Sequence, residues 1–151
     1  ATVRSQAYSK AILARCETAS VFTRACPLLV PLVEEGWTDH DITARVLKEY
    51  LKPLLKERID TLVLGCTHYP LLKPALRKVL GDRVALVDSA DSCARDVKKR
   101  LAALKLIRTN TRRTGTIQPF VTDEVERFDE LAQRFLGQNT EPAWKIDLLT
   151  A

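Results

Sequence analysis

The amino-acid sequence predicts an α/β fold, a three-layer domain built around a parallel sheet. Two short apolar runs, "DTLVLG" (60–65) and "VALVDS" (84–89), lack the polar alternation of a half-exposed strand and suit strands buried on both faces. Helical patterns stand before, between and after them, and strands that alternate with helices in this way build parallel sheets.

Each element follows from its own residues. "VRSQAYSKAILA" (3–14) predicts a helix and "ETASVFTRA" (17–25), rich in β-branched and aromatic residues, a strand. In "DITARVLKEYLKPLLKER" (41–58) Ile42, Val46, Leu47, Tyr50, Leu51, Leu54 and Leu55 recur at helical spacing. Thr38 or Asp39 is the expected cap, and Pro53, which has no N–H for the carbonyl of Glu49, predicts a bend. The strand over 60–65 comes next, then a helix that Gly81 ends, then the strand over 84–89. A helix from Ala90 to about Lys105 follows, capped by Ser89, with Cys93, Ala94, Val97, Leu101 and Leu104 facing the core. Between Ile107 and Gly115 the apolar patterning stops, which marks a linker. Beyond it "TIQPFVT" predicts a strand, "DEVERFDELAQRFLG" a helix with Val125, Phe128, Leu131, Phe135 and Leu136 on one side, and "EPAWKIDLL" an edge strand. A strand and helix standing alone after a linker bury little, so Phe128 and Phe135 need cover from elsewhere.

Composition narrows the function. The chain has 151 residues, 46% of them apolar and 28% charged, as in a soluble globular domain. No apolar stretch reaches the roughly 18 residues that span a bilayer, and the first residues lack the apolar core of a signal peptide, so the expected setting is cytoplasmic, with no membrane partner. The net charge of +5 comes with basic runs at 98–100 and 108–113 that have no interleaved aromatics, which argues against nucleic acid. Four cysteines (Cys16, Cys26, Cys66, Cys93) without CxxC spacing, beside two histidines (His40, His68), predict no metal site of the zinc-finger type. Free thiols are expected, and Cys16, Cys26 and Cys93 read as structural.

The chemistry concentrates in "LVLGCTHYP" (62–70). In a parallel sheet, functional groups gather at the carboxyl ends of strands, where Cys66, Thr67 and His68 fall. Gly65 is expected to allow a sharp turn, and Pro70 suits the first turn of a helix. The loop then lies against a helix N-terminus, which favours an anion, either a substrate carboxylate or a thiolate. A free thiol titrates near pH 8.5, so an adjacent imidazole and a helix terminus both raise its reactive fraction at neutral pH. Spacing alone equally fits a small buried thiol beside a turn.

The opening "ATVRSQAY", "ACPLLVPLVEEG" and "IDTLVLGCTHYPLL" resemble, in this order, the second half of bacterial glutamate racemases, and "FVTDEVERFDELAQRFLG" resembles the segment that closes that family. The resemblance covers nearly the whole chain. It implies two α/β domains with a site between them, and interconversion of L- and D-glutamate with no cofactor, which supplies D-glutamate for peptidoglycan. Two cysteines on opposite sides of the substrate α-carbon share the work, because a single acid/base group tends to restore the same hand. Residue by residue, Cys66 matches the second thiol, Thr67 and His68 match substrate contacts, His68 also assists Cys66, and Thr2 matches the end of a substrate-cleft loop.

The family's first half, with its "CNT"-type motif and first catalytic cysteine, has no counterpart here. The resemblance therefore implies a C-terminal portion: residues 1–88 as the second domain, incomplete at its start, and residues 89–151 as the returning segment of the first domain. Its partners are glutamate, the missing N-terminal half of the same enzyme and, as an open alternative, a second copy. Two rival readings stay open, a racemase of the same superfamily acting on aspartate and a non-catalytic module of the same fold.

Overall fold

A computed structural model describes residues 2–108, 115–137 and 140–148. It is α/β with parallel strands, as the sequence predicts. The order of elements is α1 (Thr2–Ser5), α2 (Ala7–Leu13), α3 (Leu29–Glu34), α4 (Asp41–Lys56), β1 (Thr61–Leu64), a 3₁₀ turn (Tyr69–Leu72), α5 (Lys73–Leu80), β2 (Ala85–Asp88), α6 (Ser89–Ala103), β3 (Phe120–Val121), α7 (Val125–Leu136) and β4 (Trp144–Lys145). Two compact units result, residues 1–103 and 104–151.

In the first unit β1 and β2 pair in parallel, with Thr61 opposite Ala85 and Leu64 opposite Asp88. Leu29 and Val33 of α3, Leu47 and Leu51 of α4, Leu64 of β1 and Leu72, Ala75, Leu76 and Leu80 around α5 form its core. These positions recur at helical spacing in α4 and α5, and their burial against one another is what stabilises short helices. Thr43 and Asp88 are its buried polar members; Thr43 Oγ1 donates to the Trp37 carbonyl at 2.6 Å. Gly81, at φ 65°, ends α5 as expected.

Several expectations are corrected. Residues 19–26 carry no regular structure, so the strand expected over 17–25 is absent: among the described residues that run joins neither free edge of the β1–β2 pair, and β propensity without a ladder partner does not make a strand. The first helical stretch is broken at Gln6, which takes a left-handed conformation (φ 53°). The cap of α4 is neither Thr38 nor Asp39 but His40, whose Nδ1 accepts from the Ile42 N–H at 3.1 Å while its ring stacks on Trp37. The helix itself forms where expected, over Asp41–Lys56 with Pro53 inside it. At α6 the capping side chain is Asp88, not Ser89.

The face of α6 expected in the core is exposed. Cys93, Val97, Leu101 and Leu104 all face solvent, because α6 follows β2 without a loop and a two-stranded sheet is too narrow to cover it. The same direct junction places the contact boundary after Ala103, whereas the sequence reading divides the chain at residue 88.

In the second unit β3 and β4 pair in parallel, with Phe120 opposite Trp144 and their rings edge to face at 5.9 Å. The strand expected over 116–122 is thus two residues long, and the tail forms a strand as expected. Asp129 of α7 accepts from the Ala143 N–H at 3.0 Å, and Ala132 and Ala143 are buried. Phe128 and Leu136 stay exposed. Part of the expected linker, residues 109–114, lies outside the described residues.

Candidate active site

Leu64 ends β1 at the sheet's carboxyl edge, and the chain turns over Gly65–His68 into the 3₁₀ turn. The α-helix proper starts only at Lys73, so the thiol does not sit directly on an α-helix N-terminus as expected. Gly65 is not in the left-handed region. It is small because the ring of Tyr8 approaches it: a Cβ there would lie 3.1 Å from the ring edge.

Cys66, Thr67 and His68 come together. Cys66 is half-buried, and its Sγ lies 3.9 Å from His68 Nδ1, within reach of a sulfur hydrogen bond. Thr67 is exposed, with Oγ1 3.3 Å from the same nitrogen. On the far side of the ring, His68 Nε2 lies 3.2 Å from Glu34 Oε1, at the end of α3. An imidazole anchored at one nitrogen by a carboxylate presents the other in a fixed tautomer and orientation. Sulfur, imidazole and carboxylate therefore form a line along which a proton can be held next to the thiol.

Tyr69 closes the group beneath. Its hydroxyl donates to the carbonyl of Cys26 at 3.0 Å, tying the thiol loop to the segment before α3. Burial, with the thiols of Cys26 and Cys66 and the phenol of Tyr50 nearby, pushes the Tyr69 phenol up to about 12, so it is a neutral donor at physiological pH. Burial also pushes the Cys26 thiol up, against the pull of Arg24.

Sequence reasoning missed Glu34, Tyr69 and Tyr8. Glu34 stands 34 residues before its histidine, and nothing in the local pattern "PLVEEG" separates it from Glu35. Thr2 opens α1, and its side chain lies outside the described residues. Cys16 is exposed beside Thr18 at 3.5 Å, and Cys93 is exposed. No group of three or more potential metal ligands occurs among the described residues, and no helix among them is long and apolar enough to cross a membrane. A shallow depression lined by Lys48, Lys52 and Lys56 of α4 and Val79 of α5 shares no residue with the thiol loop.

Comparison with known proteins gives concordant results. Residues 1–97 match the family model described as Asp/Glu/Hydantoin racemase. A glutamate racemase from Syntrophus aciditrophicus is 44% identical over 147 residues, and one from Neisseria meningitidis 46% over the same length; each match covers 97% of this chain and 54% of the relative. The chain thus spans about half the length of the curated relatives it matches. Among solved structures it is similar to a glutamate racemase from Francisella tularensis in complex with D-glutamate (TM-score 0.84, 29% identity, covering 99% of this chain and 56% of that one). It is also similar to a glutamate racemase isoform from Bacillus anthracis (TM-score 0.82, 35% identity, 97% and 54%).

Proposed function

The chain belongs to the Asp/Glu/hydantoin racemase family, and from that premise we propose that it forms one part of a cofactor-independent glutamate racemase. The observation that carries this reading is the Cys66–His68–Glu34 line at the carboxyl end of β1. Inversion at an α-carbon needs a proton removed on one face and returned on the other. Cys66 serves one face, giving its proton to, or taking one from, the substrate α-carbon. His68 holds the complementary proton beside the sulfur, and Glu34 orients His68. Thr67, exposed next to them, contacts the substrate, as does Thr2. The opposing thiol, the first of the family's two, comes from the part of the relatives' length that this chain does not span.

The "GCTHYP" resemblance supports a C-terminal portion, with residues 1–88 belonging to the second domain of the racemase and 89–151 to the returning segment of the first. It also supports the role in cytoplasmic supply of D-glutamate for peptidoglycan. Similarity to relatives that are glutamate racemases favours glutamate, and the family description, which also names aspartate, keeps aspartate as the comparison substrate.

The test is reconstitution. The chain is co-expressed in turn with the amino-terminal and the carboxy-terminal half of a full-length relative, in a host lacking its own racemase. Optical rotation is followed from each enantiomer of glutamate and of aspartate. The expected result is racemisation of glutamate only with the amino-terminal half, falling at least roughly 10²-fold on Cys66→Ser, since a hydroxyl is a far weaker acid than a thiol. Activity indifferent to Cys66→Ser, or none with either half, overturns the reading.

A further inference from the structure

Both ends of the thiol loop meet one residue, Asp88, one end through its backbone and the other through its buried carboxylate. Asp88 is the last residue of β2, only 3% exposed, and its register partner is Leu64, the last residue of β1 before the loop. At the other end, Lys73 directly follows the 3₁₀ turn, and its Nζ reaches Asp88 Oδ2 as well as Asp91 Oδ2, the latter at 2.6 Å. Asp88 Oδ1 accepts from the Asp91 N–H at 2.8 Å, and the Asp88 carbonyl accepts from Ser92 Oγ at 2.8 Å, so the carboxylate is itself held by the first turn of α6. Leu72, next to Lys73, is fully buried, which stops that end of the loop from sliding.

From this arrangement we propose that Asp88 and Lys73 are a positioning pair, which clasps the two ends of Gly65–Leu72 and so sets the placement of Cys66 and His68. Neither residue touches the thiol or the imidazole. The proposal rests on reading Cys66 and His68 as the reactive pair and adds the device that holds them. An ion pair with one partner buried and the other partly exposed is by itself weak support for stability, and registry is the better-attested use of such pairs. Here the registry is that of a short loop whose internal bonds are few: the Tyr69 N–H to the Cys66 carbonyl at 3.3 Å and the Leu71 N–H to the His68 carbonyl at 3.1 Å.

Hydrogen exchange on the 151-residue chain separates a clasp from a general contribution to stability. In Lys73→Met the Tyr69 and Leu71 amides should exchange at least about tenfold faster, while the Leu47 and Leu51 amides in α4 stay within about twofold of the parent. Lys73→Arg, which keeps the charge, should restore the loop amides. Should Lys73→Met not fold, Asp88→Asn, which keeps an acceptor for the Asp91 N–H, carries the same measurement. The chemical readout uses a chain whose only thiol is Cys66, with Cys16, Cys26 and Cys93 replaced by serine. There His68→Asn should change the iodoacetamide alkylation rate of Cys66, and that fold-change should shrink towards one in the Lys73→Met background.

Loop and α4 amides that accelerate by the same factor, an unchanged loop, a His68 effect of the same size in both backgrounds, or unfolding of both Lys73→Met and Asp88→Asn would each overturn the proposal. None of these readouts needs racemisation. Failure here leaves the two-thiol reading intact, and failure of reconstitution leaves the clasp intact.

Discussion

His68 Nε2 and Glu34 Oε1 stand 3.2 Å apart, joining the loop after β1 to the last residue of α3. Both side chains are partly exposed, at 21% and 29%, so the contact costs little to desolvate and yields little stability. Its effect is orientational. In the reconstituted racemase, His68→Asn should lower turnover roughly 10²-fold, in the range of a lost acid/base group. Glu34→Gln, which keeps the hydrogen bond and loses the charge, should lower it only about tenfold. The melting temperature should hardly move in either variant, and a Glu34→Gln loss as large as that of His68→Asn would put Glu34 in the chemistry itself.

Gly65→Ala tests the Tyr8 contact. The added methyl lies 3.1 Å from the Tyr8 ring, which must give way by a few tenths of an ångström. Tyr8 is 39% exposed and free to shift, so the cost should stay near 1 kcal/mol or below. Gly65→Val should cost more, and Tyr8→Ala should recover most of it. Denaturant unfolding of the three single variants and of the two Gly65 variants in the Tyr8→Ala background measures this. A Gly65→Ala loss that persists in Tyr8→Ala would point to the backbone rather than the ring.

The Asp88–Lys73 pair sets a pH window. Lys73 and the backbone N–H groups of Asp91 and Ala90 hold the Asp88 carboxyl below its ordinary value, and Asp88 and then Asp91 hold Lys73 above its own. A lowered carboxylate contributes stability above its unfolded value of about 3.9, lost as pH falls through the folded value. A raised amine contributes stability below its unfolded value of about 10.4, lost as pH rises through the folded value. Stability should therefore plateau between these limits and fall on both sides. On the alkaline side Tyr69, raised to about 12, adds a loss from about pH 10 upward, because the unfolded phenol ionises first. Asp88→Asn should flatten the acid limb and Tyr69→Phe part of the alkaline one, both read from urea midpoints against pH. An acid limb unchanged in Asp88→Asn would remove Asp88 from the account.

What the sequence disclosed follows its physics. The spacing in α4 is a local signal backed by burial, and the apolar runs of β1 and β2 form strands as expected, but not buried on both faces: Val63 and Val87 are exposed, because a two-stranded sheet leaves one face uncovered. The run at 17–25 carries a similar β-branched signal but pairs with no strand among the described residues, and no strand forms there. The thiol, threonine and histidine were legible because they are contiguous. Glu34, Tyr8 and Asp88 act on that loop across 34, 57 and 15 residues of chain from their nearest partners, Glu34 with His68, Tyr8 with Gly65 and Asp88 with Lys73, and single-sequence spacing has no signal for such contacts. Caps went to His40 and Asp88 rather than to their neighbours, a choice set by side-chain geometry at one residue's resolution.

Helix α6 supplies the last prediction, because its exposure contradicts its pattern. Val97 is 48% exposed and Leu101 39%, whereas Leu72 is fully buried. Truncating a buried leucine loses transfer energy and leaves a cavity, so Leu72→Ala should cost about 2–5 kcal/mol in the chain alone. Val97→Ser and Leu101→Ser remove surface that already meets water, and each should cost no more than about 0.5 kcal/mol. The apolar stripe of α6 has the spacing of a buried face, so its value should appear only when something covers it. With the complementary half present, the same two serine variants should weaken association of the halves several-fold, while their effect on the isolated chain stays small. Isothermal titration of the two halves, beside denaturant unfolding of this chain alone, reads both numbers. Serine variants that destabilise the isolated chain as much as Leu72→Ala would show that α6 is already covered within these 151 residues.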